Sequence, residues 1–139
     1  MSHPTPAEVV DAMHAAFRQG DLQAIAHHWD DDVEYNAPGV ALRGKAARTL
    51  AETVWLAAFS ENDVETHARF VDGDNIVDFC TMSGRHTGAL QLPDGGNIPA
   101  SLAIVSGPYA ARYRVIGGKV VYQQVIYDRL ALLQAVGAV

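Results

Sequence analysis

The chain has 139 residues, of which 49% are hydrophobic and 19% are charged, as is typical of a folded globular protein. This length predicts a single domain, residues 1–139, with one sizeable core. The formal net charge of -6 argues against proteins that bind nucleic acid through a basic surface, because the 10 Lys and Arg residues are scattered and form no basic stripe.

Cys80 is the only cysteine, so no disulfide can form within the chain. The N-terminus lacks the basic region and apolar segment of a secretory signal, and no apolar run is long enough to cross a membrane. We therefore expect a soluble cytoplasmic protein.

Helical periodicity dominates the first part of the chain. Thr5 and Glu8 have the spacing of a capping box, which predicts a first helix that ends at Gly20. Asp21 predicts the start of a second helix that extends to Trp29. A short strand follows at residues 33–36. A third helix is predicted from about residue 44 to 59, with an apolar side formed by Ala47, Leu50, Ala51, Val54 and Ala58.

From residue 64 onward the periodicity is that of strands. Strands are predicted at residues 64–71, 76–86, 101–116 and 119–127, and a short helix is predicted after Asp128. Three helices, a long antiparallel meander and a closing helix indicate an α+β cone in which a curved antiparallel sheet wraps around the helices. This arrangement leaves a pocket between the helices and the sheet.

The Gly117-Gly118 turn sets the expected pairing of the last two strands. A regular hairpin places Tyr113 opposite Tyr122 and Ala111 opposite Gln124, on the same face as Asp128. We predict that this face lines the pocket. The opposite face is mixed in character and suits a contact between two copies of the chain.

The end of the chain resembles a known family. The residues that carry this resemblance are Gly118-Lys119-Val120-Val121, Tyr127-Asp128 and the segment 130–137. They resemble the C-terminal signature of the SnoaL-like polyketide cyclases, which belong to the nuclear transport factor 2-like superfamily. Gln124 replaces the usual tryptophan of that signature, and Ala135 replaces a glutamine. The resemblance implies a cone-shaped fold and a homodimer formed through the outer sheet face.

Asp128 is the leading candidate for a general acid or base. The resemblance implies an aspartate at this position that moves a proton during an intramolecular aldol ring closure. A carboxylate in an apolar pocket loses hydration, which makes it a better proton acceptor. An aspartate before a helix is also a preferred N-cap, and the two roles are compatible.

Other candidates come from the resemblance and from the strand pattern. Tyr35 and Asn36 match a pair that the cyclases place at the pocket, although Asn36 also suits the turn at Pro38-Gly39. His86 lies in a Gly-x-His-x-Gly segment and is a candidate proton shuttle, or alternatively a surface turn residue. The loop that follows His86 departs from the family pattern.

The predicted sheet and helix faces supply the remaining candidates for substrate binding. These side chains either line the pocket or belong to the core, and they are Tyr109, Tyr113, Tyr122, Gln124, Asp78 and Trp55. The adjacent His27 and His28 point in directions about 100° apart on a helix, so we predict no metal site. No phosphate loop, dinucleotide motif or nucleophile elbow is present, and we expect no cofactor.

We therefore predict a cofactor-independent enzyme that transfers protons on an apolar, carbonyl-bearing small molecule, as a polyketide cyclase or a ketosteroid isomerase does. Two alternatives stay open. One is a non-catalytic dimeric module of the same fold that binds a small ligand. The other is a hydrolase of the epoxide-hydrolase type, with a water held by Asp78 or Asp128 and by Asn36.

Overall fold

A computed structural model describes residues 2–139. Four helices and eight strands follow one another along this part of the chain: α1 (Pro6–Gln19), α2 (Leu22–Ala26), β1 (Trp29–Ala37), β2 (Val40–Arg43), α3 (Lys45–Ala58), β3 (Phe59–Asp72), β4 (Asn75–His86), β5 (Leu90–Gln91), β6 (Asn97–Ile98), β7 (Ile104–Ile116), β8 (Lys119–Tyr127) and α4 (Arg129–Ala135). No helix among residues 2–139 is long and apolar enough to span a membrane.

Six of the strands form one sheet in the order β2-β1-β8-β7-β4-β3. All neighbouring strands in it are antiparallel except β1 and β8, which are parallel. The sheet is therefore mixed, where the sequence pattern predicted a purely antiparallel one. Strands β5 and β6 form a separate two-stranded ladder within the predicted loop 88–99. The α+β fold, with helices packed on a curved sheet, is confirmed.

Helix α1 begins as its sequence predicts. The Thr5 hydroxyl accepts the Glu8 amide at 3.2 Å, and the Glu8 carboxylate accepts the Thr5 amide at 2.9 Å, which completes the capping box. The helix ends at Gly20, whose φ of 67° lies in the left-handed region that glycine adopts without strain. The Asp21 side chain then accepts the Ala24 amide and caps α2.

The region around β1 differs from the prediction. Trp29 begins β1 and does not lie on α2, and the acidic run that follows it belongs to the strand. Strand β2 was not predicted; it pairs with β1 across the turn at Pro38-Gly39. Strand β3 also begins earlier than predicted, at Phe59, directly after α3.

Helix α3 packs a face that differs in part from the one predicted. Its buried residues are Arg48, Glu52 and Ala58, whereas Leu50 is 68% exposed. Of the predicted apolar side, Ala58 is buried and Val54 packs against buried residues, so only the placement of Leu50 on it is wrong. Arg48 and Glu52 are spaced i,i+4, which places them on one face of the helix and lets them form an ion pair there.

A bulge in β8 changes the pairing predicted for the last hairpin. Val115 pairs with Val120, but Arg114 pairs with Tyr122, so Val121 is an extra residue on β8. Beyond this point Tyr113 lies opposite Gln123 and not opposite Tyr122. Because successive side chains alternate between the two faces, the extra residue moves Gln123 to the face that Tyr122 was predicted to occupy.

The hydrophobic core has two clusters of buried residues. The first packs α1, α2 and the start of β1 against β4, β7 and β8, and Trp29 lies within it. The second joins the end of α3 to β5, β7 and the C-terminal segment through Ala58, Phe59, Leu90, Val105 and Val136. The two clusters lie towards opposite ends of β4.

Candidate functional site

The strand register assigns each side chain to the inner or the outer face of the sheet. The inner face, which meets the helices, carries rows of residues that are direct neighbours across the strands. One row joins Ile76, Tyr113, Gln123 and Tyr35. Next to it lie a row of Asp78, Ala111 and Val125 and a row of Cys80, Tyr109 and Tyr127, and Met82 and Gly107 form the row after those.

Burial varies along this inner face. Ile76 and Tyr113 at one end are buried, and so are Val105 and His86 at the other end. Between these ends, a set of half-buried residues keeps some contact with solvent; we call Met82, Gly107, Tyr109 and Tyr127 the middle tier. The middle tier lies between the two hydrophobic clusters and is the part of the inner face where several neighbouring side chains are only half-buried.

A group of polar and aromatic side chains adjoins this surface from the side of α3. Arg48 donates from Nη1 to Glu52 Oε2 at 2.7 Å. Its guanidinium carbon lies 3.9 Å from the ring centre of Tyr35 and 4.4 Å from that of Trp29. We call Arg48, Glu52, Trp29, Tyr35 and Gln123 the interior polar cluster. The side chains of Arg48 and Glu52 keep only 6% and 11% exposure.

Tyr35 connects the interior polar cluster to the middle tier. Burial raises the pKa of Tyr35, and the charges of Arg48 and Glu52 and the phenol of Tyr127 lie close enough to influence it. Burial likewise raises the pKa of Tyr109 and of Tyr113, and the Asp78 carboxylate adds to both shifts. All three phenols therefore stay neutral near neutral pH, and a neutral phenol can donate a hydrogen bond.

Asp78 lies on the inner face, as predicted, and is completely buried. Both of its oxygens accept hydrogen bonds from Arg69, at 2.7 and 2.9 Å, and Arg69 also pairs with Asp11 on α1 at 2.9 Å. The positive charge of Arg69 balances the negative charge of Asp78, and the contacts of Arg69 with Asp78 and Asp11 join α1 to β3 and β4. The geometry therefore gives Asp78 a structural task in holding the helix to the sheet.

His86 lies at the far end of β4 and is fully buried, so it is not a surface turn residue. Its Nδ1 accepts the Ser101 amide at 3.1 Å, which places the ring proton of the neutral form on Nε2. Its ring packs 5.2 Å from the Phe59 ring, which stacks on Trp55 at 4.1 Å. Asp78 and His86 are eight residues apart on β4, which corresponds to roughly 26 Å of extended strand, so the two belong to different regions.

Asp128 lies at the junction of β8 and α4 and is exposed. Its Oδ1 accepts the Ala131 amide at 2.9 Å, so it is the N-cap of α4. The bulge in β8 also puts Asp128 in phase with the outer-face residues of the strand, and not with Tyr127 beside it. Its carboxylate is therefore not on the inner face, where the regular hairpin pairing had predicted it.

Three predicted substrate-binding residues lie on the outer face of the sheet. Gln124 pairs with Asn36 and with Arg112, and Tyr122 pairs with Arg114, all in phase with the exposed side. Tyr122 lines an outer cleft of about 380 Å³ together with charged residues of β1, β2 and β7. The bulge explains why Tyr122 and Gln124 face outwards. Asn36 faces outwards because its neighbour Tyr35 faces inwards and side chains alternate along a strand. These three assignments to the pocket wall are corrected.

Four members of the interior polar cluster were not predicted as site residues from the sequence: Arg48, Glu52, Trp29 and Gln123. Charged residues on a predicted helix are ordinarily assigned to its solvated face, and Gln123 was assigned to the outer face. The i,i+4 spacing of Arg48 and Glu52 was the available signal. That spacing is equally common on exposed helices, so it does not by itself indicate burial.

Comparison with known proteins assigns the chain to one family. A model of the SnoaL-like polyketide cyclase family matches residues 7–136 of the chain. Among proteins with curated functions, none matches the sequence.

Several solved structures share the fold. AclR from Streptomyces galilaeus has a TM-score of 0.80 and 21% sequence identity, over 96% of this chain and 82% of that one. A Catenulispora acidiphila protein with a ketosteroid isomerase-like fold, in complex with trimethylamine, has a TM-score of 0.76 and 20% identity, over 96% and 95%. An LEH-like epoxide hydrolase from M. tuberculosis has a TM-score of 0.71 and 15% identity, over 94% and 88%.

Proposed function

The chain belongs to the SnoaL-like polyketide cyclase family, and we propose that it is a cofactor-independent enzyme that moves a proton on an apolar, carbonyl-bearing small molecule. The observation that carries this proposal is the half-buried middle tier between two buried apolar clusters. This tier combines the apolar Met82 with the phenols of Tyr109 and Tyr127, and small-molecule sites usually combine apolar side chains with a few polar groups.

The proposed reaction begins with removal of a proton from the carbon next to a substrate carbonyl. The electron pair of the broken C–H bond moves onto the carbonyl oxygen and gives an enolate. The enolate carbon then attacks a second carbonyl in a cyclisation, or is protonated again at another carbon in an isomerisation. The proton taken by the base returns to the product, so no external acid or redox partner is consumed.

The first residue to test as the base is Asp128, which directly follows Tyr127 of the middle tier in the chain. Tyr109 and Tyr127 then lie below the substrate, where their phenols can donate to its oxygen atoms. In this proposal Asp128 has two tasks, because the same carboxylate caps α4.

Two substitutions separate these tasks. Asparagine is as good an N-cap as aspartate but cannot accept a proton, whereas alanine does neither. We expect Asp128→Asn to keep the melting temperature and to lose solvent deuterium exchange at the activated carbon of β-keto esters or ketosteroids. Asp128→Ala should lose the exchange and also about 1 kcal/mol of stability.

Asp21→Asn is the matched control, because Asp21 caps α2 in the same way, with its side chain accepting the Ala24 amide at 3.0 Å. It should change neither exchange nor stability. Full exchange activity in Asp128→Asn would place the base elsewhere, and no exchange by the wild type across the panel would favour the non-catalytic binding module.

The hydrolase alternative receives less support from the geometry. A hydrolytic carboxylate needs an oxygen free to hold the attacking water, and both oxygens of Asp78 accept from Arg69. Asn36, the proposed partner for such a water, lies in phase with the outer face. Conversion of a panel of apolar epoxides to diols would support hydrolysis over proton transfer.

A further inference from the structure

We propose that Arg48 holds the substrate oxygen on which negative charge develops, so that the site selects molecules whose reacting oxygen becomes an enolate or a phenolate. Its role in turnover rests on the proposed function, whereas its role in binding such an oxyanion does not.

Stability alone does not account for the ion pair of Arg48 and Glu52. Both residues are more than nine-tenths buried. Removing two charges from water costs several kcal/mol for each ion, and apolar residues of similar volume often replace such pairs without loss of stability. The surrounding helix positions are mostly Ala, Leu and Val, so the pair interrupts a surface that apolar side chains could fill.

The contacts of the guanidinium leave one edge available. Tyr35 and Trp29 cover its faces, and Glu52 accepts from Nη1. The buried Nε has no hydrogen-bond partner among residues 2–139. Nε lies on the edge that it shares with Nη2, away from the bond to Glu52. An edge of this kind donates in the plane of the group, which suits a planar oxyanion.

Two neighbouring side chains add to this arrangement. Trp29 Nε1, which can only donate, is buried without a partner, and Gln123 Oε1, which is an acceptor, also has none among residues 2–139. Tyr35, directly beside Gln123 in the sheet, has a phenol whose raised pKa keeps it a donor. Buried donors without acceptors are rare in folded proteins. Two of them within one cluster, one of them on a cation, favour an oxygen-bearing anionic ligand.

The ligand class follows from these contacts. The rings of Tyr35 and Trp29 lie against the guanidinium, Glu52 pairs with its Nη1, and the positively charged edge at Nε has no hydrogen-bond partner among residues 2–139. The site therefore fits a flat, largely apolar molecule with one oxygen that carries negative charge in the bound or reacting state. Neutral phenols that ionise on binding have this chemistry, and they bind without being turned over.

The test measures the ionisation of bound phenols. Ultraviolet difference spectra distinguish phenol from phenolate, and a series of graded acidity is titrated into the wild type at a pH at which the free ligands are neutral. We expect the wild type to bind them as phenolates. Arg48→Met combined with Glu52→Gln, which removes both charges together, should weaken binding about 10- to 100-fold and abolish the phenolate spectrum.

Two further variants complete the design. Arg43→Met with Glu34→Gln removes an exposed ion pair between β1 and β2 by the same substitutions, and should leave phenolate binding unchanged. Arg48→Lys keeps the charge but not the planar edge; it should bind phenolates about 10-fold more weakly, and it replaces the double variant if that variant does not fold.

The proposal would be overturned if the wild type bound the phenols in their neutral form or did not bind them. It would also be overturned if the double variant bound phenolates as tightly as the wild type. The proposed function fails separately: an enzyme without exchange activity that still binds phenolates through Arg48 would keep this inference and lose the other.

Discussion

His14 is a buried titratable side chain that none of the proposed chemistry uses. It lies on the inner side of α1, and its Nε2 has no partner among residues 2–139. Burial lowers its pKa from the ordinary histidine value of 6.5; Asp78 and Asp11 oppose this shift, whereas Arg69 and Arg18 add to it. The folded protein therefore keeps His14 neutral at a pH at which the unfolded chain protonates it.

This shift predicts a loss of stability in mild acid. The unfolded state binds more protons below pH 6.5, so the free energy of unfolding should fall as the pH drops from 6.5 towards the folded-state pKa, by at most about 1.4 kcal/mol per pH unit. His14→Gln should flatten this slope in urea unfolding between pH 7 and pH 5. His28, whose pKa burial also lowers, leaves a residual slope. An unchanged slope in His14→Gln would contradict the assignment.

The caps were readable from the sequence because each depends on residues within four positions. Thr5 with Glu8, Asp21 and Asp128 all make the local hydrogen bonds that their spacing indicates. The buried state of Arg48 was not readable, since it depends on Trp29 and Tyr35, which come from a strand that lies beside α3 only in the folded chain.

At the scale of elements, β8 shows how a strand with correctly predicted bounds can have its inner and outer faces assigned wrongly. Its bounds, Lys119–Tyr127, agree with the prediction, yet one extra residue at Val121 reverses the phase of everything after it. The Gly-Gly turn fixes where the hairpin starts, but nothing local in Val120-Val121-Tyr122 indicates a bulge. The misassignment of Tyr122 and Gln124 follows from this single residue.

The adjacent Gln123 and Gln124 provide a matched test of this register. Gln123→Lys should cost several kcal/mol, because it buries an unpaired ammonium close to Arg48. Gln124→Lys should cost less than about 1 kcal/mol, since its side chain faces outwards. Urea unfolding of the two variants measures the difference. Equal losses of stability, or a larger loss for Gln124→Lys, would contradict the bulge and favour the regular hairpin, which places Gln124 on the inner face.

At the scale of the whole molecule, the outer face of the sheet carries an apolar patch. Phe79, Ala110 and Ile126 are neighbours across three strands, and Phe70 packs edge-on against Phe79 at a ring distance of 6.2 Å. Phe70, Phe79 and Ile126 are 63%, 48% and 61% exposed. Large exposed apolar side chains that cluster in this way are typical of a protein contact.

We propose that two copies of the chain associate through this patch, as the resemblance to the family first suggested. Light scattering coupled to size-exclusion chromatography should give the mass of a dimer for the wild type and of a monomer for Phe79→Glu with Ile126→Glu, because each dimer would bury four carboxylates. Leu50→Glu, at an equally exposed apolar residue on α3, should remain dimeric. A monomeric wild type at micromolar concentration would exclude this association.

The α+β architecture could be predicted because periodicity and turn residues define its elements, and the resemblance extends over most of the chain. The parallel pairing of β1 with β8 could not, since it joins residues about 90 positions apart. The same long-range pairing brings Tyr35 beside Gln123. The position of the interior polar cluster therefore depends on topology and not on any local motif.

Each hydrophobic cluster contacts one of the two tryptophans of the chain. Trp29 is buried within the first cluster, and the partly buried Trp55 packs against the second. Their surroundings differ, because Trp29 lies against a guanidinium and Trp55 donates from Nε1 to Asn62. The molecule thus carries a separate intrinsic fluorophore in each half of its core. Replacing either tryptophan by phenylalanine leaves an emission signal that reports on one half alone, so unfolding of the two halves can be followed without any attached label.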